Sequence, residues 1–240
     1  MNVDIGLLLL TALSIGFVHT LLGPDHYLPF VAMSAARNWT RAKTMWVTAL
    51  CGVGHVFGSI VIGFAGIALG ASLHRQQWLE GLRGDLAAWA LIAFGLTYMA
   101  WGLKRAWRDR AHSHEHVHAD GTRHRHNHGH HTHDEHVHIH LDTDNIRSIT
   151  PWALFVIFIL GPCEALIPLL MYPASQHSLW GLVLVVATFA AATITTMLAI
   201  VYVAMRGLER FPLASAERYS HALAGAALSL CGMGIVFLGL

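Results

Sequence analysis

Six long apolar runs dominate the pattern of the chain, and each predicts a membrane-spanning helix. A helix needs about 20 largely apolar residues to cross the hydrocarbon core of a bilayer. Five of the runs contain no Asp, Glu, Lys or Arg, and the fourth contains only Glu164. The predicted spans cover residues 5–22, 44–70, 86–103, 151–171, 178–204 and 219–240.

The composition favours lipid as the solvent for most of the chain. Hydrophobic residues make up 55% of the 240 residues and charged residues only 12%, whereas soluble domains carry roughly 25% charged residues. A mean hydropathy of +0.50 excludes a disordered chain, since disorder requires low hydrophobicity. A net charge of +1 provides no broad basic surface for nucleic acid. We therefore expect the lipid bilayer as a partner and no nucleic acid.

The distribution of Lys and Arg predicts an orientation. Of the 15 basic residues, 13 fall on segments that share one side of the membrane, and the other side has Arg75 and Arg83. By the positive-inside rule the 13 are cytoplasmic, so both termini face outward and residues 104–150 face inward. No basic residue precedes the first apolar run, so we expect a first membrane helix rather than a cleaved signal peptide.

A short motif indicates an internal repeat. Residues 22–26, Leu-Gly-Pro-Asp-His, resemble residues 160–164, Leu-Gly-Pro-Cys-Glu, at an offset of 138. Each Gly-Pro pair is expected to break its helix, because proline lacks an N–H and its ring clashes with the preceding turn. Three spans per half would make the halves inverted, as in many transporters. Coincidence is the alternative, since Leu, Gly and Pro are common in membrane helices.

The predicted fold is therefore an all-α membrane protein with six transmembrane helices. Two inverted three-helix repeats, each with a broken first helix, would cover residues 1–103 and 151–240. The intervening segment 104–150 holds 14 of the 29 charged residues and no apolar period, so we expect it to be a disordered cytoplasmic loop.

Ionisable residues inside apolar runs are costly and are therefore candidates for function. His19, Asp25 and His26 form His-x5-Asp-His. On a continuous helix the Cα atoms of the two histidines would lie roughly 10 Å apart. One metal ion, with ligand bonds of about 2 Å, could bind both imidazoles only if the helix unwinds at the Gly-Pro pair. The alternative is two hydrogen-bonded histidines at an interfacial helix end.

A further histidine, His55, lies in the middle of the second predicted span. Gly54 and Gly58 flank it as GxxxG, a pattern that lets another helix approach closely. Cys51, one helical turn earlier on the same face, is a candidate soft ligand or a small packing residue. A hydrogen-bonded packing histidine is the alternative for His55.

The second half offers three more candidates. Glu164 could ligate a cation, relay protons or pair with a histidine, or it could be a protonated, hydrogen-bonded side chain. Cys163 precedes it and could supply a thiolate. Thr193, which is equivalent to His55 at the offset of 138, could line a pathway or bond back to its own helix.

The segment between the halves is rich in histidine. Many imidazoles on one tether favour Ni, Co, Zn and Cu over Mg or Ca, while a pH-sensitive tail is the alternative. The candidate loop ligands are His112, His114, His116, His118, His124, His126, His128, His130, His131, His133, His136, His138 and His140.

These motifs resemble the nickel–cobalt transporter superfamily, and most closely its NicO/UreH-like branch of permeases and urease-accessory membrane proteins. The resemblance covers nearly the whole chain and implies transport of Ni²⁺ or Co²⁺ across a bacterial inner membrane. Its first-helix motif corresponds to His19, Asp25 and His26, and its second-helix histidine to His55. The family spacing is His-x4-Asp-His, and the extra residue here would turn His19 by about 100° on a regular helix.

The leading hypothesis is secondary transport of a divalent transition metal. The ion, Ni²⁺ or Co²⁺ with Zn²⁺ as an alternative, would bind near the midplane to Asp25, His26 and His55. His19 and Glu164 would assist, and no permanently bound cofactor is expected. The His-rich loop would gather ions for export or retain them after entry.

Three other classes of protein are alternatives. A membrane metal chaperone or sensor for nickel-enzyme maturation would use the loop, with a metallochaperone or a second copy of the chain as partner. A thiol-redox enzyme needs equivalent cysteines in both halves, but Cys163 is equivalent to Asp25. An anion exporter is disfavoured by carboxylates inside the membrane. We therefore expect no enzyme.

Overall fold

A computed structural model describes most of the chain. The described residues are 5–70, 72–108, 112–117, 123–128, 144–161, 163, 165–175, 178–210 and 217–239.

Eight helices and two short strands follow one another along these residues. The helices are α1 (Ile5–Leu22), α2 (Leu28–Arg37), α3 (Arg41–Ala68), α4 (Leu73–Arg108), α5 (Asp144–Leu160), α6 (Leu166–Ser175), α7 (Leu179–Leu208) and α8 (Ser220–Leu238). The strands are β1 (His112–Val117) and β2 (Arg123–His128), and 3₁₀ turns occupy Pro24–His26 and Glu217–Tyr219.

The helices are compatible with membrane insertion. Among the described residues five helices, α1, α3, α4, α7 and α8, are long and apolar enough to cross a membrane. The fourth predicted span, 151–171, is divided between α5 and α6, and its apolar part in α5 is the shorter stretch Thr150–Leu160. Large apolar side chains such as Leu7 and Leu10 are 59% exposed, which suits contact with lipid.

The helices are interrupted at both predicted positions. The N–H of Gly23 donates to the carbonyl of His19 at 3.0 Å and ends α1, after which a 3₁₀ turn precedes α2. The N–H of Gly161 donates to the carbonyl of Ile157 at 2.9 Å, and α6 begins only at Leu166. These interruptions separate α1 from α2 and α5 from α6.

The helix ends recur at the offset of the sequence motif. The last residues of α1 and α5, both ends of α2 and α6, and the first residues of α3 and α7 are each 138 positions apart. Even the N-caps correspond, since Thr40 accepts from the N–H of Lys43 at 3.2 Å and Ser178 accepts from that of Gly181 at 3.1 Å. The interruption, the short helix after it and the start of the next long helix are therefore spaced alike in both halves.

Small residues allow close helix packing. A Cβ on Gly54 would lie 2.9 Å from Cγ1 of Ile159, and a Cβ on Gly58 would lie 2.9 Å from its carbonyl oxygen. The GxxxG pattern of α3 therefore receives α5, as the sequence predicts. In α4, a Cβ on Gly95 would lie 2.5 Å from the backbone nitrogen of Ser229 in α8. These glycines allow α3 to pack closely against α5, and α4 against α8.

The third span is longer than predicted. Residues 86–103 were assigned to it, whereas α4 runs from Leu73 to Arg108 over 36 residues. The prediction stopped at the charged residues Glu80, Arg83 and Asp85, but the first two form an ion pair at 2.9 Å with Glu80 fully buried. Paired charges can be accommodated inside the bundle, so they did not mark the end of the helix.

The segment between the halves also differs from the prediction. It was expected to be disordered over 104–150, but α4 continues to Arg108 and α5 begins at Asp144. Between them β1 and β2 pair antiparallel, with His112 opposite His128, His114 opposite His126 and His116 opposite His124. Histidine at every second position matches the two-residue period of a strand. A hairpin therefore replaces part of the predicted loop.

Candidate metal site

The first interruption brings His19 and His26 together. Because α1 ends at Leu22 and the chain turns through Gly23 and Pro24, the two residues do not follow one helix. Their ring centroids are 4.8 Å apart in an edge-to-face arrangement. One metal ion could bind both imidazoles only if the helix unwinds between them. The helix does unwind, at the Gly-Pro pair where the sequence predicts it.

His55 joins this pair from α3. Its ring centroid lies 4.9 Å from that of His26, and the residue is 2% exposed. A Cβ on Gly161 would approach Nδ1 of His55 to 3.1 Å, so the second interruption packs directly against this imidazole. The two breaks thus meet around the three histidines.

Asp25 contacts His26. Its Oδ1 is 3.0 Å from Nδ1 of His26, which also lies 3.2 Å from the carbonyl oxygen of Gly23. Both partners are acceptors when the carboxyl group is ionised, so Nδ1 carries the proton and donates. Nε2 of His26 is then left with a free lone pair. This carboxylate–histidine pairing is the arrangement that orients metal-ligating imidazoles in many proteins.

Three side chains converge closely enough to share an ion. One ligand atom from each of His19, His55 and Cys163 lies within 4.8 Å of the others. Donors around a tetrahedral ion with bonds of 2.0–2.3 Å are separated by roughly 3.5 Å, so a contraction of about 1 Å would bring these three into bonding range. Two imidazoles and a thiolate suit borderline transition metals.

The histidines have unsatisfied nitrogens in the interior. Nε2 of His19, His26 and His55 are all buried without a hydrogen-bond partner among the described residues. Buried polar atoms are nearly always paired, so three partnerless nitrogens in one cluster indicate a place for a ligand. They line a cavity of about 330 Å³ together with Asp25 and with residues of α4, α5 and α8.

Two of the predicted candidates lie elsewhere. Cys51 is buried in a hydrophobic cluster with Phe30 and Met197, and it does not line the cavity. Thr193 is fully buried, has no hydrogen-bond partner among the described residues, and is likewise absent from the cavity wall. Cys51 is therefore outside the group of converging ligand atoms, and Thr193 does not line the cavity.

Other predicted residues lie outside what the structure describes. Glu164 is one of these. The histidines of β1 and β2 are placed by their backbone register alone. The remaining predicted loop ligands outside the described residues are His118, His130, His131, His133, His136, His138 and His140.

Sequence analysis missed one buried polar cluster beside this site. Glu80 and Arg83 in α4 reach Ser59 in α3 and the backbone of the second interruption. Their signal in the sequence is an i, i+3 pair of opposite charges at the border of an apolar run. We interpreted that border as the end of the span, and so treated the pair as part of an outer loop.

Comparison of the chain with protein-family models, with curated proteins and with solved structures gave no match.

Proposed function

We propose that the chain is a secondary transporter of a divalent transition metal, Ni²⁺ or Co²⁺, with Zn²⁺ as an alternative cargo. The observation that carries the proposal is the convergence of His19, His55 and Cys163 within 4.8 Å, next to His26 and Asp25. Imidazole and thiolate donors disfavour Mg²⁺ and Ca²⁺, which prefer oxygen. The resemblance to the nickel–cobalt transporter superfamily points to the same cargo.

Matching halves support an alternating-access mechanism. The 138-residue offset between helix ends fits six spans arranged as two inverted repeats, with the divided α5–α6 unit as the fourth span. In transporters of this type the site lies where discontinuous helices of the two halves meet, and one half rocks against the other. The histidine cluster occupies that position between the two interruptions.

The predicted orientation gives the cavity a direction. With residues 104–150 in the cytoplasm, the amino end of α4 and the carboxyl end of α8 face outward. Gly84 and Gly239 from these ends line the cavity, so it would open to the outside. On the cytoplasmic side Phe30 and Phe158 pack with ring centroids 4.6 Å apart and would close the path. We propose the inner membrane of a bacterium as the location.

The chemistry of the ligands offers a source of energy. Metal binds deprotonated thiolate and neutral imidazole, so binding releases protons and could couple metal flux to a proton gradient. The chain has no Gly-x4-Gly-Lys-Ser/Thr motif for nucleotide phosphates, the fingerprint of a P-loop ATPase. A gradient or a separate subunit would therefore drive transport.

Reconstitution into proteoliposomes tests the proposal. We expect Ni²⁺ or Co²⁺ flux in the wild type and a fall of about 10- to 100-fold in His55→Ala and Cys163→Ala, the effect typical of disturbing a metal site. Cys51→Ala is the matched control, because it removes a buried cysteine outside the cluster. Wild-type flux in both cluster variants would contradict the proposed site.

A membrane metal chaperone or sensor is the second candidate. The paired histidines of β1 and β2 favour it, since cross-strand neighbours lie about 5 Å apart. Such pairs could bind metal without transporting it across the membrane. The same liposomes separate the two functions. A chaperone would retain metal binding in the absence of any flux, whereas a transporter would show both.

A further inference from the structure

A partly buried cation, the guanidinium of Arg83 on a side chain that is 11% exposed, contacts the end of α5 at the second interruption. Nη2 of Arg83 donates to the carbonyl of Gly161 at 2.6 Å, and its Nε donates to the carbonyl of Leu160 at 3.2 Å. Nη2 also donates to the hydroxyl of Ser59 at 2.8 Å. The last carbonyls of a helix have no partner within it and carry its partial negative charge. The guanidinium therefore satisfies groups that the break has released.

A buried anion contacts the other side of the same turn. Oε2 of Glu80 accepts from the N–H of Cys163 at 3.2 Å and from the hydroxyl of Ser59 at 3.1 Å, while Oε1 accepts from Arg83 at 2.9 Å. The N–H of Cys163 lies just before α6, where a helix begins with unpaired donors and partial positive charge. Glu80 is fully buried, so this contact is made away from water.

Each charge faces the helix end of opposite polarity, and Cys163 lies between them. Its backbone N–H donates to Oγ of Ser59 at 3.1 Å and to Oε2 of Glu80 at 3.2 Å. Its carbonyl accepts from the N–H of Leu166 at 3.0 Å, and its Sγ belongs to the group with His19 and His55. The side chain of a residue held at both backbone groups has little freedom to leave the cluster.

We propose that Glu80 and Arg83 are positioning residues that hold the second interruption so that Sγ of Cys163 stays beside His19 and His55. They contact the backbone of the turn and do not bind the ion. The inference rests on the proposed metal site, which it extends by naming what keeps the thiol in place. The N–H of Cys163 also donates to Oγ of Ser59 at 3.1 Å, and that hydroxyl is itself held by both members of the pair. Loss of either charge therefore loosens the contacts that hold Cys163.

Cysteine labelling tests the positioning directly. In the detergent-solubilised chain we expect Arg83→Met to raise the rate of maleimide labelling at Cys163 by about tenfold or more, as the loss of charge-assisted hydrogen bonds implies. Peptide mass spectrometry identifies the labelled residue. The buried Cys51 and Cys231 report any general loosening of the bundle, and their labelling should not change. Arg75→Met, which removes an exposed arginine from the same helix, should label like the wild type.

Cobalt spectroscopy tests the consequence for the site. A thiolate bound to Co²⁺ gives a sulfur-to-metal charge-transfer band, which imidazole ligands do not give. We expect Arg83→Met to lose this band while the ligand-field bands of histidine-bound Co²⁺ remain. Arg83→Lys, which keeps the charge but not the forked donors, should recover part of the band. If Arg83→Met does not fold, Glu80→Gln provides the same comparison, since its shape is retained.

The two readouts distinguish failure of the inference from failure of the proposed function. Unchanged labelling of Cys163 and an unchanged thiolate band in Arg83→Met and Glu80→Gln would overturn the positioning role. If the wild type itself bound no Co²⁺, the metal site would be wrong. Faster labelling in the variants would then still show that the pair holds the turn, and unchanged labelling would reject both.

Discussion

At the scale of single residues, two glycines determine how closely the histidines can approach the interruptions. A Cβ on Gly23 would lie 2.6 Å from Nδ1 of His26 and 2.8 Å from Oδ1 of Asp25. Both distances are far below van der Waals contact, so any side chain there must displace the Asp25–His26 pair. Gly161 is less crowded, because its Cβ would be 3.1 Å from His55.

The first prediction follows from this difference. Gly23→Ala should weaken Co²⁺ binding more strongly than Gly161→Ala, with the larger loss of about tenfold or more expected when a carboxylate–histidine contact is disturbed. Isothermal titration calorimetry in detergent measures the affinities, and circular dichroism checks the fold. Gly207→Ala is the control, since nothing lies within 4 Å of its added Cβ. Wild-type affinity in Gly23→Ala would contradict the geometry.

A second prediction concerns the role of Asp25. If the carboxylate acts through His26, Asp25→Asn should keep most of the metal affinity, because its amide oxygen can still accept from Nδ1. Asp25→Ala should lose about 10- to 100-fold, the range measured for such outer partners. If Asp25 is instead a direct ligand, as the sequence predicted, both variants should lose affinity equally. Parallel Ni²⁺ titrations of the two proteins decide between these roles.

The sequence predicted those site residues that local patterns reveal, namely apolar runs and regular helical spacing, and missed those that depend on distant contacts. His55 was chosen as an ionisable residue inside an apolar run and His26 because it stands beside Asp25 at a predicted break, and the structure places the two rings together. His19 was expected only to assist, because the extra residue of its motif would turn it by about 100° on a regular helix, and the interruption at Gly23 removes that regularity. Glu80 went unrecognised although its partner Arg83 is only three residues away, since its other partners, in α3 and the second interruption, are remote in sequence.

At the scale of helices, close packing sets the tolerance of the bundle to change. Helices α4 and α8 approach closely at Gly95. A Cβ added to this glycine would lie 2.5 Å from both the backbone nitrogen and the hydroxyl oxygen of Ser229. Membrane helices gain no hydrophobic driving force from one another, so small residues and close backbones supply much of their attraction.

The third prediction tests that contact. Gly95→Leu should destabilise the folded chain by about 1–3 kcal/mol, the usual cost of overpacking. The midpoint of unfolding in a mixed-micelle denaturant titration measures the change. Gly207→Leu places the same side chain in open space on α7 and should leave the midpoint near its wild-type value. Equal stability of the two variants would show that α4 and α8 can separate without cost.

A fourth prediction concerns the ends of α3 and α7, where Arg41 holds Glu209 by two hydrogen bonds of 2.8 and 2.7 Å. These bonds lower the pKa of the Glu209 carboxyl group below its ordinary value. Its stabilising effect is therefore present at neutral pH and is lost as the pH falls through the lowered pKa. Both side chains are nearly half exposed, so the effect is small and is weakened by salt.

Melting temperatures of the wild type and Glu209→Gln, measured from neutral pH down to about pH 3, test this pair. The wild type should melt slightly higher at neutral pH, and the difference should disappear in acid. A difference that persists below the carboxyl range would mean that Glu209 acts through something other than its charge.

The ends of the helices show which sequence signals were sufficient to predict where a helix begins or ends. Thr40 and Ser178 cap their helices as polar residues before apolar runs usually do, and the Gly-Pro pairs interrupt their helices as predicted. The start of α4 was misplaced because a charge in an apolar pattern was interpreted as exposed. Whether such a charge is paired depends on residues distant in sequence, which a local pattern does not contain.

At the scale of the whole molecule, the interrupted bundle and the His-rich segment offer two places for metal. The proposed site is enclosed by helices, whereas the segment with 13 histidines between residues 112 and 140 connects α4 to α5. In the proposed orientation, a tether that binds ions at the cytoplasmic end of the transport path raises their local concentration there, with effective concentrations up to the millimolar range for short flexible linkers. Such a tether changes how readily the site fills and does not create the transport path.

The last prediction separates these roles. A chain in which residues 112–140 are replaced by a Gly/Ser linker of equal length should keep the maximal rate of metal flux in proteoliposomes. At low metal it should transport more slowly, so the half-saturating concentration rises when metal is supplied on the side that the segment faces. From the opposite side the curve should match the wild type, which makes the side of addition an internal control. The predicted orientation is tested by the same comparison. If flux disappears at every concentration while His55→Ala transports normally, the segment is the principal metal site and the buried histidines serve only to pack the bundle.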